Sequence, residues 1–163
     1  HLSIRRQRQM CIRDRYMLIG VPGSGKSTWI AGQDWARDCV LVSTDKLIDI
    51  EAGRQGKTYN DVFKDYIDTA TKLMNADVLE AVAAGKDIIW DQTNTGLKSR
   101  KAKLAMAPGY HKIAVVFATP EKEEWQRRLD SRPGKAIPDA VLKAMAKGLQ
   151  LPTEDEFDEI WRT

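Results

Sequence analysis

Five short apolar runs punctuate the chain: Tyr16–Ile19, Cys39–Val42, Ile88–Trp90, Ile113–Phe117 and, more weakly, Phe157–Trp161. They are continuously apolar rather than alternating, which is the pattern of parallel strands covered on both faces. The segments between them carry apolar residues at helical spacing. The clearest runs from Tyr59 to Ala84, with Phe63, Ile67, Ala70, Met74, Val78 and Ala81 on one face and Gly85 as a stop. Further helices are expected from near Leu97, over Glu121–Asp130 and over Asp139–Lys147, the last opened by Pro138. Strands that alternate with helices predict an α/β three-layer sandwich on a short, mostly five-stranded parallel sheet. About 45 residues separate the second and third runs, enough for at least two helices. In such folds an excursion at a strand's C-terminal end usually builds the substrate site.

Composition narrows the class. A chain of 163 residues suits one domain, and 42% hydrophobic with 30% charged residues is ordinary for a globular protein. No run reaches the roughly 18 apolar residues of a membrane helix. Cys11 and Cys39 offer no disulfide framework and no metal spacing, so no disulfide-linked partner is expected and a reducing, cytoplasmic setting fits. The net charge of +3 is concentrated in residues 1–15, which hold five arginines and one aspartate. The remainder has 21 basic and 22 acidic residues, a net of −1. The basic balance therefore says nothing about nucleic-acid binding by the domain. The stretch Met10–Arg15 resembles translated adapter sequence. Residues 1–15 are expected to be an extraneous basic tail on a domain of residues 16–163, with a natural basic arm as the alternative.

The strongest motif is Gly20-Val21-Pro22-Gly23-Ser24-Gly25-Lys26-Ser27, a full match to G-x-x-x-x-G-K-[ST]. It follows an apolar run and precedes a helical segment, as a phosphate-binding loop must. Glycines let successive backbone N–H groups point into one concavity that a side chain would fill. Gly20 to Ser27, with Thr28 after them, are thus the expected ATP-binding residues. Lys26 is expected to reach the β- and γ-phosphates, and Ser27 to ligate Mg²⁺. The loop alone leaves the reaction open, since switches, motors and kinases share it.

Two further runs end in carboxylates. Val40-Leu41-Val42-Ser43-Thr44-Asp45 and Ile88-Ile89-Trp90-Asp91 should end on the same sheet edge as the loop. Phosphoryl transfer needs a group that accepts the acceptor's proton and others that orient the Mg²⁺ shell. Asp45 is assigned the first role with a share in the metal shell, and Asp91 the second. Either could instead cap a helix. Past the fourth run, Arg127 and Arg128 lead into Ser131-Arg132-Pro133-Gly134-Lys135-Ala136-Ile137-Pro138, a hinged basic loop suited to clamp phosphates. Arg128 and Arg132 are its expected ATP contacts, and a solvated basic helix end is the alternative.

Taken in order, Gly20–Trp29, Ser43-Thr44-Asp45, Asp91-Gln92-Thr93-Asn94 and Arg128–Pro138 resemble the kinase domain of bacteriophage-type polynucleotide 5′-kinases, and Leu151–Ile160 resembles the wider family of such kinases. The resemblance implies an adenylate-kinase-like P-loop sandwich. It also implies that Asp45 is the general base and that Arg132 contacts the phosphates, alongside Lys26 and Ser27. Members can carry an arginine three residues after the base, where this chain has Ile48. Acceptor contacts are therefore expected from Lys46, Arg54 and Asn94, or from the run Lys98-Ser99-Arg100-Lys101. No D-x-D-G-T phosphatase motif occurs, so no 3′-phosphatase activity is expected. The expected reaction is transfer of the ATP γ-phosphate to the 5′-hydroxyl end of DNA or RNA, with catalytic Asp45, Lys26 and Arg132. The alternatives are a kinase of another acceptor (a small metabolite, an antibiotic, a nucleotide sugar or an aminoacylated transfer RNA) and a non-catalytic ATP-binding module.

Overall fold

The computed structural model describes residues 12–163. Five strands form one sheet: β1 (Asp14–Ile19), β2 (Val40–Val42), β3 (Ile88–Trp90), β4 (His111–Val116) and β5 (Glu159–Arg162). Their order is β2-β3-β1-β4-β5, and every pairing is parallel. Six α-helices connect them: α1 (Lys26–Ala31), α2 (Thr44–Gln55), α3 (Tyr59–Ala83), α4 (Leu97–Ala105), α5 (Lys122–Asp130) and α6 (Asp139–Lys147). A 3-10 turn at Asp34–Asp38 lies between α1 and β2.

Alternate residues of the central strand supply the two buried layers, as the two-residue period of a strand requires. Met17 and Ile19 pack with Met74, Val78 and Ala81 of α3, while Tyr16 and Leu18 pack with Trp29, Trp35 and Trp161 on the other face. Ile48 and Ala52 of α2 bury against Val62 and Ala70 of α3 as a third cluster. Phe63, expected in the core, is 41% exposed. The first turns of α3 face α2 through Val62 rather than facing the sheet.

The first strand starts at Asp14, two residues before the expected boundary. Arg15 is buried there because its guanidinium donates to the carbonyls of Lys103 and Leu104 at the end of α4. The rest of the expected tail, residues 1–11, lies outside the described residues.

Register places the chemistry. Val42 pairs with Trp90, and Trp90 pairs with Met17. Strands β1, β2 and β3 therefore end at nearly one level, delivering Gly20, Ser43 and Asp91 to a common edge. The Asp91 amide donates to the Val42 carbonyl, and the Gly20 amide to that of Thr93. Because β2 and β4 lie on opposite sides of β1, this edge is also the topological switch point where open α/β sheets bind ligands.

Candidate active site

The loop between β1 and α1 is a cradle with little slack. Gly23 and Gly25 take positive φ angles of 79° and 101°, which side chains strongly disfavour. At Gly20 a Cβ would sit 2.6 Å from Ser24 Oγ and 2.9 Å from Phe117 Cβ. Trp125 of α5 donates to the Pro22 carbonyl at 2.7 Å, bracing the loop from outside. The buried Ser24 hydroxyl has no hydrogen-bond partner among the described residues.

Lys26 donates to the carbonyls of Gly20 and Val21, both at 2.9 Å. Burial lowers its pKa to about 8, opposed by Asp91 and Asp45 and reinforced by Arg132. Asp91 is raised above the usual carboxylate range by burial first, with Lys26 opposing and Asp45 adding to the rise. Lys26, Asp45, Asp91 and Arg132 thus lie within electrostatic reach of one another on the edge that holds the cradle. Ser27 is exposed at the start of α1. This donor set suits a magnesium-bound triphosphate: amides and an ammonium for the phosphates, a hydroxyl and a carboxylate for the metal's shell.

The structure removes the capping alternative for both acids. The N-cap of α2 is Ser43, whose hydroxyl accepts from the Lys46 amide, and the residue before α4 is Gly96. Asp45 is exposed, and its Oδ1 accepts from the Tyr59 hydroxyl at 2.7 Å. Asp91 caps nothing.

The basic loop is docked rather than free. Gly134 turns with φ +72° against Thr58, and its carbonyl accepts from the Asn60 amide at 3.0 Å. The Asn60 side chain donates to the Ala136 carbonyl at 2.9 Å and accepts from the Ala136 amide at 2.8 Å. Lys135 pairs with Asp49 at 2.6 Å. The half-buried Arg132 side chain donates to no described residue. Arg128 pairs with Glu124 at 2.6 Å and reaches the Gly23 carbonyl at 3.3 Å. Beside it lies a cavity of about 380 Å³ that includes Ser24 and Ala118. A second, of about 330 Å³, shares Ala118 and Thr163 and continues toward Leu149.

The expected acceptor contacts fare differently. Lys46 is exposed beside Asp45. Arg54 lies nine residues further along α2, about 13 Å at 1.5 Å per residue, and is held by Glu51. Asn94 is 2% exposed, and its amide donates to the carbonyls of Leu18, Trp90 and Gln92 while its oxygen accepts from Lys103. With its polar atoms so used, it is a strut of the loop and not an acceptor contact. Arg100 is likewise buried, paired with both oxygens of Glu156. Ile48 is fully buried between α2 and α3, so nothing at that position can read an acceptor. Sequence reasoning missed Tyr59 and Asn60. The Thr58-x-x-Asp61 capping box signalled a helix start there, but not that its first residues would meet Asp45 and the basic loop.

A family model for the AAA domain matches residues 16–152. The chain belongs to the AAA domain family. Heterogeneous nuclear ribonucleoprotein U-like protein 2 of Mus musculus is 23% identical over 88% of this chain, which spans only 20% of that relative's length. Among solved structures, a candidate kinase from Chloroflexus aurantiacus superposes with a TM-score of 0.70 at 15% identity, covering 94% of this chain and 88% of that chain. The structure of the Pnkp1/Rnl/Hen1 RNA repair complex matches with a TM-score of 0.68 at 26% identity, covering 94% of this chain and 49% of its own. The fold of this AAA domain is that of the P-loop kinases, shikimate kinase and gluconokinase among them. No helix among the described residues is long and apolar enough to cross a membrane.

Proposed function

We propose that this domain transfers the γ-phosphate of ATP to the 5′-hydroxyl end of a nucleic acid strand. One observation carries the reading: the exposed Asp45 carboxylate, relieved of capping by Ser43, lies within electrostatic reach of Lys26 and Asp91 on the sheet edge that carries the phosphate loop. A passive nucleotide binder has no use for that group. The nucleic-acid acceptor is supported by the likeness to the RNA repair complex, the match with the highest identity among the solved structures described above.

In this reading Gly20 to Thr28 wrap the triphosphate, and Lys26 exchanges its two carbonyl partners for phosphate oxygens. Ser27 and Asp91 hold the Mg²⁺ shell, which neutralises charge on the phosphates when the metal is bound. Arg128 and the cavity beside Ser24 take the nucleoside end. Asp45 accepts the proton of the attacking hydroxyl, and Arg132 covers the charge of the transferring group from the docked loop. Lys46 is the remaining expected cation beside the acceptor.

The test offers 5′-hydroxyl and 5′-phosphate oligonucleotides with Mg²⁺ and γ-labelled ATP. Label should appear on the hydroxyl end alone, and Asp45→Ala should lower turnover about 10²–10⁴-fold, as loss of a general base does, while ATP still binds. Label on neither oligonucleotide rejects the acceptor. Full turnover in Asp45→Ala rejects the base.

A second reading changes only the acceptor. The burial of Ile48 leaves no cation three residues past Asp45, and the domain's net charge of −1 gives no basic surplus to read a polyanion, which suits a small metabolite. Labelling of a small hydroxyl compound in place of the oligonucleotide would establish it.

A further inference from the structure

We infer that Tyr59 is a positioning residue for phosphoryl transfer, fixing the Asp45 carboxylate through one oxygen so that the other is left for the acceptor's proton. The inference rests on the reading of Asp45 as the base.

An exposed carboxylate in the first turn of a helix would ordinarily sample several rotamers. Here Oδ1 accepts the Tyr59 hydroxyl at 2.7 Å, and Oδ2 has no partner among the described residues. The phenol is a dependable donor. Burial, the hydrogen bond to Asp45, and the charges of Asp45 and Asp49 all raise its pKa, with Arg132 opposing, so it keeps its proton at any physiological pH.

The ring itself is fixed. Tyr59 is the first residue of α3, behind a Thr58/Asp61 capping box. Its side chain packs on the Ile48–Val62 cluster and lies 5.6 Å from the Phe63 ring.

Tyr59 also links the base to the basic loop. The Lys135 ammonium sits 4.4 Å from its ring centroid while pairing with Asp49 at 2.6 Å. Asn60, the next residue, holds the loop backbone on both sides of Lys135. The loop that carries Arg132 and the phenol that aims Asp45 are therefore built on the same helix turn, and the base is aimed while the loop is docked. In the transfer step the acceptor O–H proton passes to Oδ2 as the new O–P bond forms. The bridging oxygen departs with its electron pair as ADP, and the Tyr59 proton stays on the phenol.

The test is Tyr59→Phe in the full chain, assayed for transfer to a 5′-hydroxyl oligonucleotide beside Asp45→Ala. A misplaced reacting group costs up to about 10²-fold. We expect kcat to fall ten- to a hundredfold, with the KM for ATP and the thermal midpoint near those of the wild type. A purely structural residue would instead move the midpoint and ATP binding together. Near-normal kcat in Tyr59→Phe, with transfer abolished in Asp45→Ala, overturns the inference and spares the base. Normal kcat in both variants overturns both. The contact is also read without any acceptor, in chain carrying tyrosine labelled with ¹³C at Cζ. The Tyr59 resonance, assigned by its loss in Tyr59→Phe, should move in Asp45→Ala, and a resonance that stays put overturns the inference whatever the acceptor proves to be.

Discussion

Arg100 is completely buried and holds both carboxylate oxygens of Glu156, at 2.9 and 3.0 Å. Its remaining nitrogen donates to the carbonyls of Asn94, Thr95 and Gln150. One guanidinium thus ties the loop leaving β3 to the segment entering β5. Gln150 returns the favour by accepting the Leu97 amide, which Gly96 has no side chain to cap. Glu156→Ala leaves a buried cation without its partner, and breaking such a pair costs about 3–5 kcal/mol. At about 2–4 °C per kcal/mol for a domain of this size, the thermal midpoint should fall by roughly 10 °C in a calorimetric scan. An unchanged midpoint would show that the pair is dispensable.

Gly20→Ala tests the cradle. The added methyl would meet Ser24 Oγ at 2.6 Å and Phe117 Cβ at 2.9 Å, so the loop or its neighbours must shift to admit it. ATP affinity measured by titration calorimetry should drop at least tenfold. Retention of wild-type affinity would mean that the loop yields without losing its shape.

In the proposed ATP site, Lys26 should make binding pH-dependent in a definite direction. With its pKa near 8 in the free site, the amine is protonated below that value and neutral above it. Triphosphate favours the ammonium, so the bound-state pKa is higher and binding takes up a proton in the interval between the two. Affinity should be flat below about pH 8 and then weaken by up to tenfold per unit as pH rises. Calorimetry in buffers of different ionisation enthalpy should register the uptake near pH 8.5, and Lys26→Met should abolish it.

Asn60→Ala loosens the loop without touching the sheet. It deletes two hydrogen bonds to Ala136, each worth about 1 kcal/mol, so the undocked population should grow tenfold or more. Trypsin cleavage after Lys135 should accelerate to match, while the thermal midpoint moves little. Equal cleavage rates would mean that the Gly134 and Lys135 contacts suffice.

The first four strands were legible because each carries a compact apolar run, whereas β5 (Glu159–Arg162) has only Ile160 and Trp161 between charged residues and lies two residues past the start of the expected run; α6 has the expected bounds because Pro138 and Gly148 punctuate it. The start of β1 was not, since Asp14 and Arg15 read as polar tail and their partners lie far along the chain, at Asp87, Lys103 and Leu104. The phosphate loop is a local pattern and could be read outright. Asp45 could be placed at a strand end, but separating it from a cap needed the geometry of Ser43. Asn94 looked chemical because it ends an Asp-Gln-Thr-Asn run, yet its φ of 49° and buried amide make it a turn residue. Tyr59 and Asn60 were hidden because their partners depend on how α2 packs against α3, which no local signal encodes.

The docking of the basic loop bears on the rhythm of turnover. Its fastenings run to Asp49, Thr58 and Asn60 of the protein. The loop is thus docked by the fold itself, and on the proposed reaction it would have to open for ADP to be exchanged for ATP. The proposed phosphoryl transfer would then be followed by slower release of products, as in many kinases with lids. Its first round should appear as a rapid burst ahead of a slower steady pace.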